Sequence, residues 1–461
     1  MKTIPAKNHK FLKAPGVINL EITDMCNARC RHCYNFWRED TASLCSMSKE
    51  SMDRILDIFI ESGVFHIIFT GGEPFMNLKV LEFGLKKALE NNISVSCNSN
   101  LMLTTKDNVK KLRDIGLDHI LTSLNSHDPA TNDYIVNVKG AFKKIITGIE
   151  NAVKCGIRVS VNMIVSQINK EHVYATGRLA HDLGCQKIFG TRVVPSVNVK
   201  DIDESAFKLE KENALNTLRQ LVRVKEATGI MIGTLVAYPL CLLSDLEKYK
   251  DFVGRGCPGQ SRYLMSVNAN GDTHACVHQK DGYGNIFEEG IYEPYNRMRA
   301  WHDESYRYKG CEGCDYIDIC RTGCRMSAHG YFGKYDERDP LMTGKDSFVK
   351  PYRIVYDESV YGKIDGGLKF VAPKRLRFRK ENGFHLVNIR WANTIAVDDE
   401  TARFLIKNRD SGKEFDINDF GRDKREILAR LFFKDVIESR YAAYDDLRDK
   451  VGLSVNPFDL K

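Results

Sequence analysis

Residues 23–36 read TDMCNARCRHCYNF and place Cys26, Cys30 and Cys33 in one short stretch. Thiolates are the soft ligands that select iron–sulfur clusters and zinc. Three from one loop suit a cubane cluster, each holding one iron and leaving one iron without a protein ligand. An open metal position is what separates a catalytic site from a structural one. A zinc loop with a distant fourth ligand is the competing reading. A second run follows: Cys257, Gly271 and Cys276, then Cys311-x2-Cys314-x5-Cys320-x3-Cys324. CxxC followed by CxxxC on short loops is a metal signal in its own right, and one zinc ion on Cys311, Cys314, Cys320 and Cys324 is its alternative. Cys45, Cys97, Cys155 and Cys185 lie singly and read as packing residues. Cys241, in the apolar setting AYPLCLL, reads the same way.

These loops need elements to hold them. From residue 15 to about 200, short β-type runs alternate with amphipathic stretches. Strands are predicted at 17–23, 66–72, 93–100, 118–126, 158–166 and 187–197. Helices are predicted at 47–63, opening on a serine cap and closing on Gly63, and at 77–92 and 139–156. Alternation at this spacing predicts a parallel sheet with helical crossovers, α/β in class. Six units make a partial, open (βα)6 TIM-like barrel. In such barrels the loops after strand C-termini build the active site, and Cys26 follows directly on the first strand. Residues 203–229 read as one long charged helix. Residues 262–278 read as a hairpin around Asn270-Gly271. The expected domains are an N-terminal extension (1–14), the barrel (15–240), a cysteine-rich domain (241–345) and a C-terminal module (346–461). In the last, 375–390 reads as a hairpin around Asn382-Gly383, 394–399 as a third strand, and 399–412 and 423–440 as helices: a winged-helix-like α+β unit.

CxxxCxxC after the first strand, with TGGEP (70–74) after the second, resembles the radical S-adenosylmethionine superfamily. The resemblance implies a [4Fe-4S] cluster on Cys26, Cys30 and Cys33, its open iron chelated by S-adenosylmethionine. Reductive cleavage of the sulfonium would then deliver a 5′-deoxyadenosyl radical that takes a hydrogen atom from substrate. It further implies that the Gly71-Gly72 backbone meets the methionine amino group with Glu73 nearby, and that His32 sits against the adenine. Asn98, Ser99, Asn100, Ser123 and Asn125, and less directly Asn162, would meet the carboxylate and ribose. Glycines at 71 and 72 are read as leaving room for that close approach.

The second cysteine run resembles the SPASM extension of that superfamily. It implies one or two auxiliary iron–sulfur clusters, one on Cys257, Cys276 and Cys324, the other on Cys311, Cys314 and Cys320. The chain departs from the pattern after Cys324. Asp339-Pro340 is followed by Leu341-Met342, and no further cysteine occurs. Asp336, Asp339 or Asp346 are the oxygen ligands within reach of that gap; an open iron or the absence of this cluster are the other readings. The first auxiliary cluster also lacks a fourth ligand, for which Cys241 is the nearest spare thiol. Val277 stands where related sulfatase maturases carry an acid, with His278 beside it as a candidate base.

The C-terminal module resembles the peptide-recognition element of ribosomal peptide modification, a small winged helix that captures a leader peptide as an added strand. A structural cap is its alternative. The expected function is therefore oxidative modification of a ribosomally made precursor peptide or protein. Tetrapyrrole or other small-molecule maturation is the second reading, and a non-catalytic cluster- or zinc-binding adaptor the third. A flavodoxin or ferredoxin is the expected electron donor. A net charge of +7 over 461 residues, without a polybasic tail, gives no argument for nucleic acid. No apolar window reaches membrane-spanning length, and MKTIPAKNHKFLKAPG carries no apolar run of a signal peptide. The expected setting is the reducing cytoplasm, with no membrane partner.

Overall fold

The computed structural model describes residues 11–35, 44–195, 207–254, 256–347, 349–350, 358–390 and 393–439. Alternation sets its first half: β1 (Val17–Glu21), α1 (Lys49–Glu61), β2 (His66–Thr70), α2 (Leu78–Glu90), β3 (Ser94–Asn98), α3 (Lys106–Ile115), β4 (His119–Ser123), α4 (Pro129–Val136), α5 (Ala141–Lys154), β5 (Arg158–Val165), α6 (Val173–Asp182) and β6 (Lys187–Arg192). Then come α7 (Lys211–Thr228), the three-residue β7 (Met231–Gly233) and a single turn, α8 (Leu240–Leu243). All six expected strands are present, each ending before its predicted C-terminus. There the chain turns out of the sheet into the loops that carry chemistry. Residues 196–206, the start of the predicted long helix, lie outside the described residues.

The strands form one sheet in the order β7-β6-β5-β4-β3-β2-β1-β8-β9. Here β8 (Leu264–Val267) and β9 (Thr273–His274) are the predicted hairpin around Asn270-Gly271. Unforeseen from sequence, β8 runs parallel to β1, Val17 facing Leu264 and Leu20 facing Val267. The hairpin that bears Cys276 is thereby an extension of the barrel sheet. All neighbours from β7 to β8 are parallel, so the sheet curls without closing: a partial TIM-like barrel.

Period-two alternation divides the sheet's two faces. Leu20, Phe69, Cys97, Ile120 and Val159 stand in one register row, fully buried with the helices' Phe59, Leu81 and Leu85. A side chain at Gly84 of α2 would strike the Phe69 ring, which is why that helix turn carries none. The opposite face is polar: Asn19, Glu21, Thr70, Asn98, Ser123 and Asn162 lie along it. Deeper in, His66 bonds Ser94 (2.9 Å) and Ser96 (3.0 Å), and His119 bonds Ser160 (3.0 Å). No helix among the described residues is long and apolar enough to cross a membrane.

The cysteine-rich segment continues through short turns to α9 (Arg325–Phe332). The C-terminal module comprises α10 (Glu358–Asp365), an antiparallel sheet β10 (Arg377–Lys380), β11 (His385–Arg390) and β12 (Asn393–Val397), then α11 (Asp399–Ser411), α12 (Ile417–Phe420) and α13 (Arg425–Phe433). Three strands and the two longer helices match the expectation; α10 and α12 were not read, and residues 440–461 lie outside the described residues. Val387, Ile389, Ile395 and Val397 point into the module's own core with Leu405, Leu428 and Phe432. The alternate positions face the barrel, and Phe384 and Leu386 join its core.

That contact lies at the N-terminal ends of the barrel strands, opposite the cysteine loop. Arg379 donates to the carbonyls of Ala14 (2.7 Å), Pro15 (2.8 Å) and Gly63 (3.2 Å) and pairs with Glu381 (2.7 Å), which accepts the Lys13 amide. Arg377 donates to the carbonyls of Phe65 and Asn92, and Tyr263 bonds Thr394. Glu381 would be left a buried, unpaired anion without Arg379. Arg379→Met is therefore expected to lower stability by about 3–5 kcal/mol, measured by denaturant unfolding, and to speed proteolytic release of the module; unchanged values would refute the docking role.

Candidate active site

The loop from β1 to α1 carries Cys26, Cys30 and Cys33, all half-buried. Its backbone is gripped from two sides. On one, the Gly72 amide donates to Thr23 O (2.6 Å) and the Glu73 amide to Met25 O (2.7 Å). On the other, the Arg29 and Arg31 amides donate to Val136 O (3.3 Å) and Ile135 O (2.9 Å), carbonyls that α4 leaves unpaired at its end. The Arg31 guanidinium donates to Tyr134 O (3.0 Å) and lies over the Tyr134 ring at 4.3 Å. Three half-buried thiols at close sequence spacing, in a loop held by backbone bonds at the C-terminal end of a barrel strand, are the donor type that a cubane cluster takes.

Gly71 and Gly72 are also required to be glycines by the loop they lie against. Gly71 has φ +141, and a Cβ there would overlap Thr23 O. A Cβ on Gly72 would overlap Met25 O and stand 2.6 Å from Asp24 O. The missing side chains make room for the cysteine loop itself.

Glu73, Ser99 and Asn125 do not line an open cleft. Glu73 is buried and caps the turn that follows it, accepting from the Phe75 amide (3.1 Å), Ser99 Oγ (2.7 Å) and the Asn100 amide (2.8 Å). Ser99 is spent holding it. Asn125 is fully buried in the joint between β4 and β5, its Oδ1 accepting the Ile164 amide (3.0 Å) and its carbonyl accepting Asn169 Nδ2 (2.7 Å). Polar residues at strand ends brace turns as often as they meet ligands, and sequence does not separate the two. Asn98, Ser123 and Asn162 are half-buried on the sheet's polar face. Ser123 and Asn162 share a register row, and Thr191 Oγ donates to Asn162 Oδ1 (2.6 Å). Asn100 Nδ2 reaches Asn27 Oδ1 (2.7 Å), between the first two cysteines. His32 is half-buried within the loop. Of these, Asn100 meets the cysteine loop through Asn27 and His32 belongs to it, while Glu73 meets it through the Met25 carbonyl.

The second cysteine run folds beside the first. Burial pushes the Cys276 thiol up, and the charges of Cys257 and Cys324 add to it; burial and then Cys324 push the Cys257 thiol up as well. Burial likewise pushes Cys320 up to about 12, against a bond from the Leu240 amide. Sequence reasoning missed Tyr34, the residue after Cys33. Its ring lies 4.3 Å from that of His278, whose Nδ1 is 3.6 Å from Cys276 Sγ. An aromatic pair thus joins the two cysteine constellations. Also missed was Glu21 at the end of β1, buried on the polar face, its carboxyl raised well above the usual range by burial and then by Asp24. A lone acid in an apolar strand is the sequence signal for it.

Asp339, an expected oxygen ligand, is excluded. It is fully buried and takes both ends of the Arg192 guanidinium, with the Cys324 amide (2.8 Å) and the Leu341 amide (3.0 Å) on its remaining lone pairs. Asp336 is exposed and its charge falls on Tyr306; Asp346 is exposed.

Residues 20–180 match the family model described as the Radical SAM superfamily, and this part of the chain is a radical S-adenosylmethionine domain. The chain is similar to an AdoMet-dependent heme synthase of Methanosarcina barkeri, 25% identical over 71% of this chain and 96% of that protein. It is similar to the mycofactocin maturase MftC of Mycolicibacterium smegmatis, 26% identical over 71% of this chain and 83% of that protein. Among solved structures it shares the fold of SuiB of Streptococcus suis bound to S-adenosylmethionine, with TM-score 0.59 and 18% identity over 73% of this chain and 79% of that one.

Gly72→Ala is expected to destabilise the cysteine loop by about 1–3 kcal/mol, as overpacking against rigid backbone does. It should also cut the iron reconstituted on Cys26, Cys30 and Cys33, measured by iron and sulfide analysis against Gly362→Ala, where the added carbon meets nothing within 4 Å. Equal iron in the two would overturn the packing argument. Burial pushes the Glu73 carboxyl up from 4.5 to about 7, against its three hydrogen bonds. The folded state thus keeps a proton that the unfolded chain has lost. Its stabilising share is full below pH 4.5 and is lost as pH rises through about 7. In cluster-free protein, the melting temperature of the wild type should fall relative to Glu73→Gln across that range; parallel curves would contradict it.

Proposed function

We propose that this radical S-adenosylmethionine enzyme oxidatively modifies a ribosomally synthesised precursor peptide or protein, by crosslink, thioether or related bond. The observation that carries this reading is the meeting of two cysteine constellations through Tyr34 and His278. The residues that would hold a radical-generating cluster and those that would hold an electron-accepting one then meet across a single joint. When bound, the [4Fe-4S] cluster and S-adenosylmethionine supply the 5′-deoxyadenosyl radical that takes a hydrogen atom from substrate. In this reading Cys26, Cys30 and Cys33 hold the cluster. Gly71, Gly72 and the residues they position, with His32, Asn98, Asn100, Ser123 and Asn162, orient the nucleoside and methionine. Glu73, Ser99 and Asn125 keep those loops rigid, which is what holding a reactive centre against substrate requires. Cys257, Cys276 and Cys324 hold one auxiliary cluster, and Cys311, Cys314 and Cys320 belong to another. Electrons come from a donor of flavodoxin or ferredoxin type.

A peptide is favoured over a tetrapyrrole by the C-terminal module. The heme synthase is matched over nearly its whole length by 71% of this chain, so much of the remainder has no counterpart there. That module is a sheet backed by helices, the architecture that takes up a peptide by strand addition, and SuiB has been crystallised with its precursor peptide SuiA. The tetrapyrrole reading keeps support from the similarity to the heme synthase itself.

Anaerobic incubation with reductant and S-adenosylmethionine is expected to yield 5′-deoxyadenosine, abolished by Cys30→Ala. With a short precursor encoded beside the gene, mass spectrometry should show loss of hydrogen from the peptide. No 5′-deoxyadenosine would sink the enzyme reading; turnover of an iron porphyrin and not of peptide would move the assignment to tetrapyrrole chemistry.

A further inference from the structure

The gap after Cys324 leaves Cys311, Cys314 and Cys320 one thiolate short, and Asp339 is committed to Arg192. The residue at the gap, Met342, is buried, and its Sδ lies 4.0 Å from Cys311 Sγ. A thioether brings a soft sulfur but no charge, so it does not replace a thiolate on iron.

A fourth thiol is already there. The single turn α8 holds Cys241, half-buried, and two bonds place that turn against the three-cysteine set. On one side the Leu240 amide donates to Cys320 Sγ (3.4 Å). On the other, Thr343 Oγ donates to the Cys241 carbonyl (2.7 Å), and Thr343 follows the methionine that touches Cys311. The turn is pinned between Cys320 and the segment bordering Cys311.

We propose that Cys241 is the fourth thiolate of the second auxiliary cluster, completing Cys311, Cys314 and Cys320 from a turn about a hundred residues upstream of the position now held by Met342. The inference rests on reading the cysteine-rich region as cluster-binding. It turns an apparent loss into a relocated ligand: the chain gave up a thiolate at residue 342 and supplies one at residue 241.

The test uses the full chain with Cys26, Cys30 and Cys33 changed to Ala, reconstituted anaerobically. This parent is expected to bind about eight irons and eight sulfides, two four-iron clusters. Adding Cys241→Ala should remove about half of that iron, or one iron with the electron-paramagnetic-resonance signal of a three-iron cluster. Cys155→Ala should leave the parent's content intact. Adding Met342→Cys to the Cys241→Ala protein should restore it, because the geometry brings both positions to one site. Cys241→Ser keeps the shape of the side chain and serves if the alanine variant does not fold; it should still change the signal. Unchanged iron and an unchanged spectrum in both Cys241 variants would overturn the proposal and leave the auxiliary-cluster reading standing. A parent that binds no iron, or zinc in its place, would defeat that reading and the proposal with it.

Discussion

A buried ion pair ties the cysteine-rich segment of this protein to its barrel. Arg192, at the end of β6, and Asp339, at the end of the cysteine-rich segment, are both almost fully buried and meet end to end. Two charges out of water are tolerable when hydrogen bonds offset their lost hydration. Here Asp339 accepts four hydrogen bonds, and Arg192 adds the Ala237 carbonyl (2.6 Å) and the Tyr238 ring, its Nε–H alone finding no acceptor among the described residues. Because the Cys324 amide is one of those partners, the position of Cys324 follows from the pair. Because Leu341 is another, so does that of Met342. The aspartate that sequence offers as a metal ligand is the anchor that sets where these two residues stand.

The same economy governs the first cysteine loop. It is held through main-chain bonds to the Gly-Gly turn and to the end of α4. The module on the barrel floor is fastened by arginines that saturate carbonyls at the strands' N-terminal ends, away from the chemistry. Deleting the module would uncover the barrel residues that Phe384 and Leu386 cover, so its contribution is better probed by point substitution than by truncation.

Much of this was legible in the chain. The six parallel strands, the hairpins at Asn270-Gly271 and Asn382-Gly383, and the three strands of the last module follow from local period and turn chemistry. The two cysteine groupings are read from spacing. What was not legible was which way polar residues at strand ends face. Asn98, Ser123 and Asn125 have the same local signals, yet Asn125 is sealed between β4 and β5 while the others lie on the polar face. Nor was the parallel pairing of β8 with β1 readable, since it joins segments nearly 250 residues apart. Tyr34 went unread because its partner, His278, is as distant.

Sequence alone determined the chemistry that is possible here: three thiols at close spacing, two glycines beside them and more thiols downstream, because ligand type and local spacing are properties of a short stretch. Only the tertiary structure decided which groups share a site. It committed Asp339 to Arg192, turned Ser99 and Asn125 inward, set Gly71 and Gly72 against the loop they carry, and brought Cys241, which reads from its neighbours as core filler, beside Cys311 and Cys320. The reason is physical: burial spends polar groups on one another, and which groups are spent depends on contacts between distant segments that local pattern does not encode.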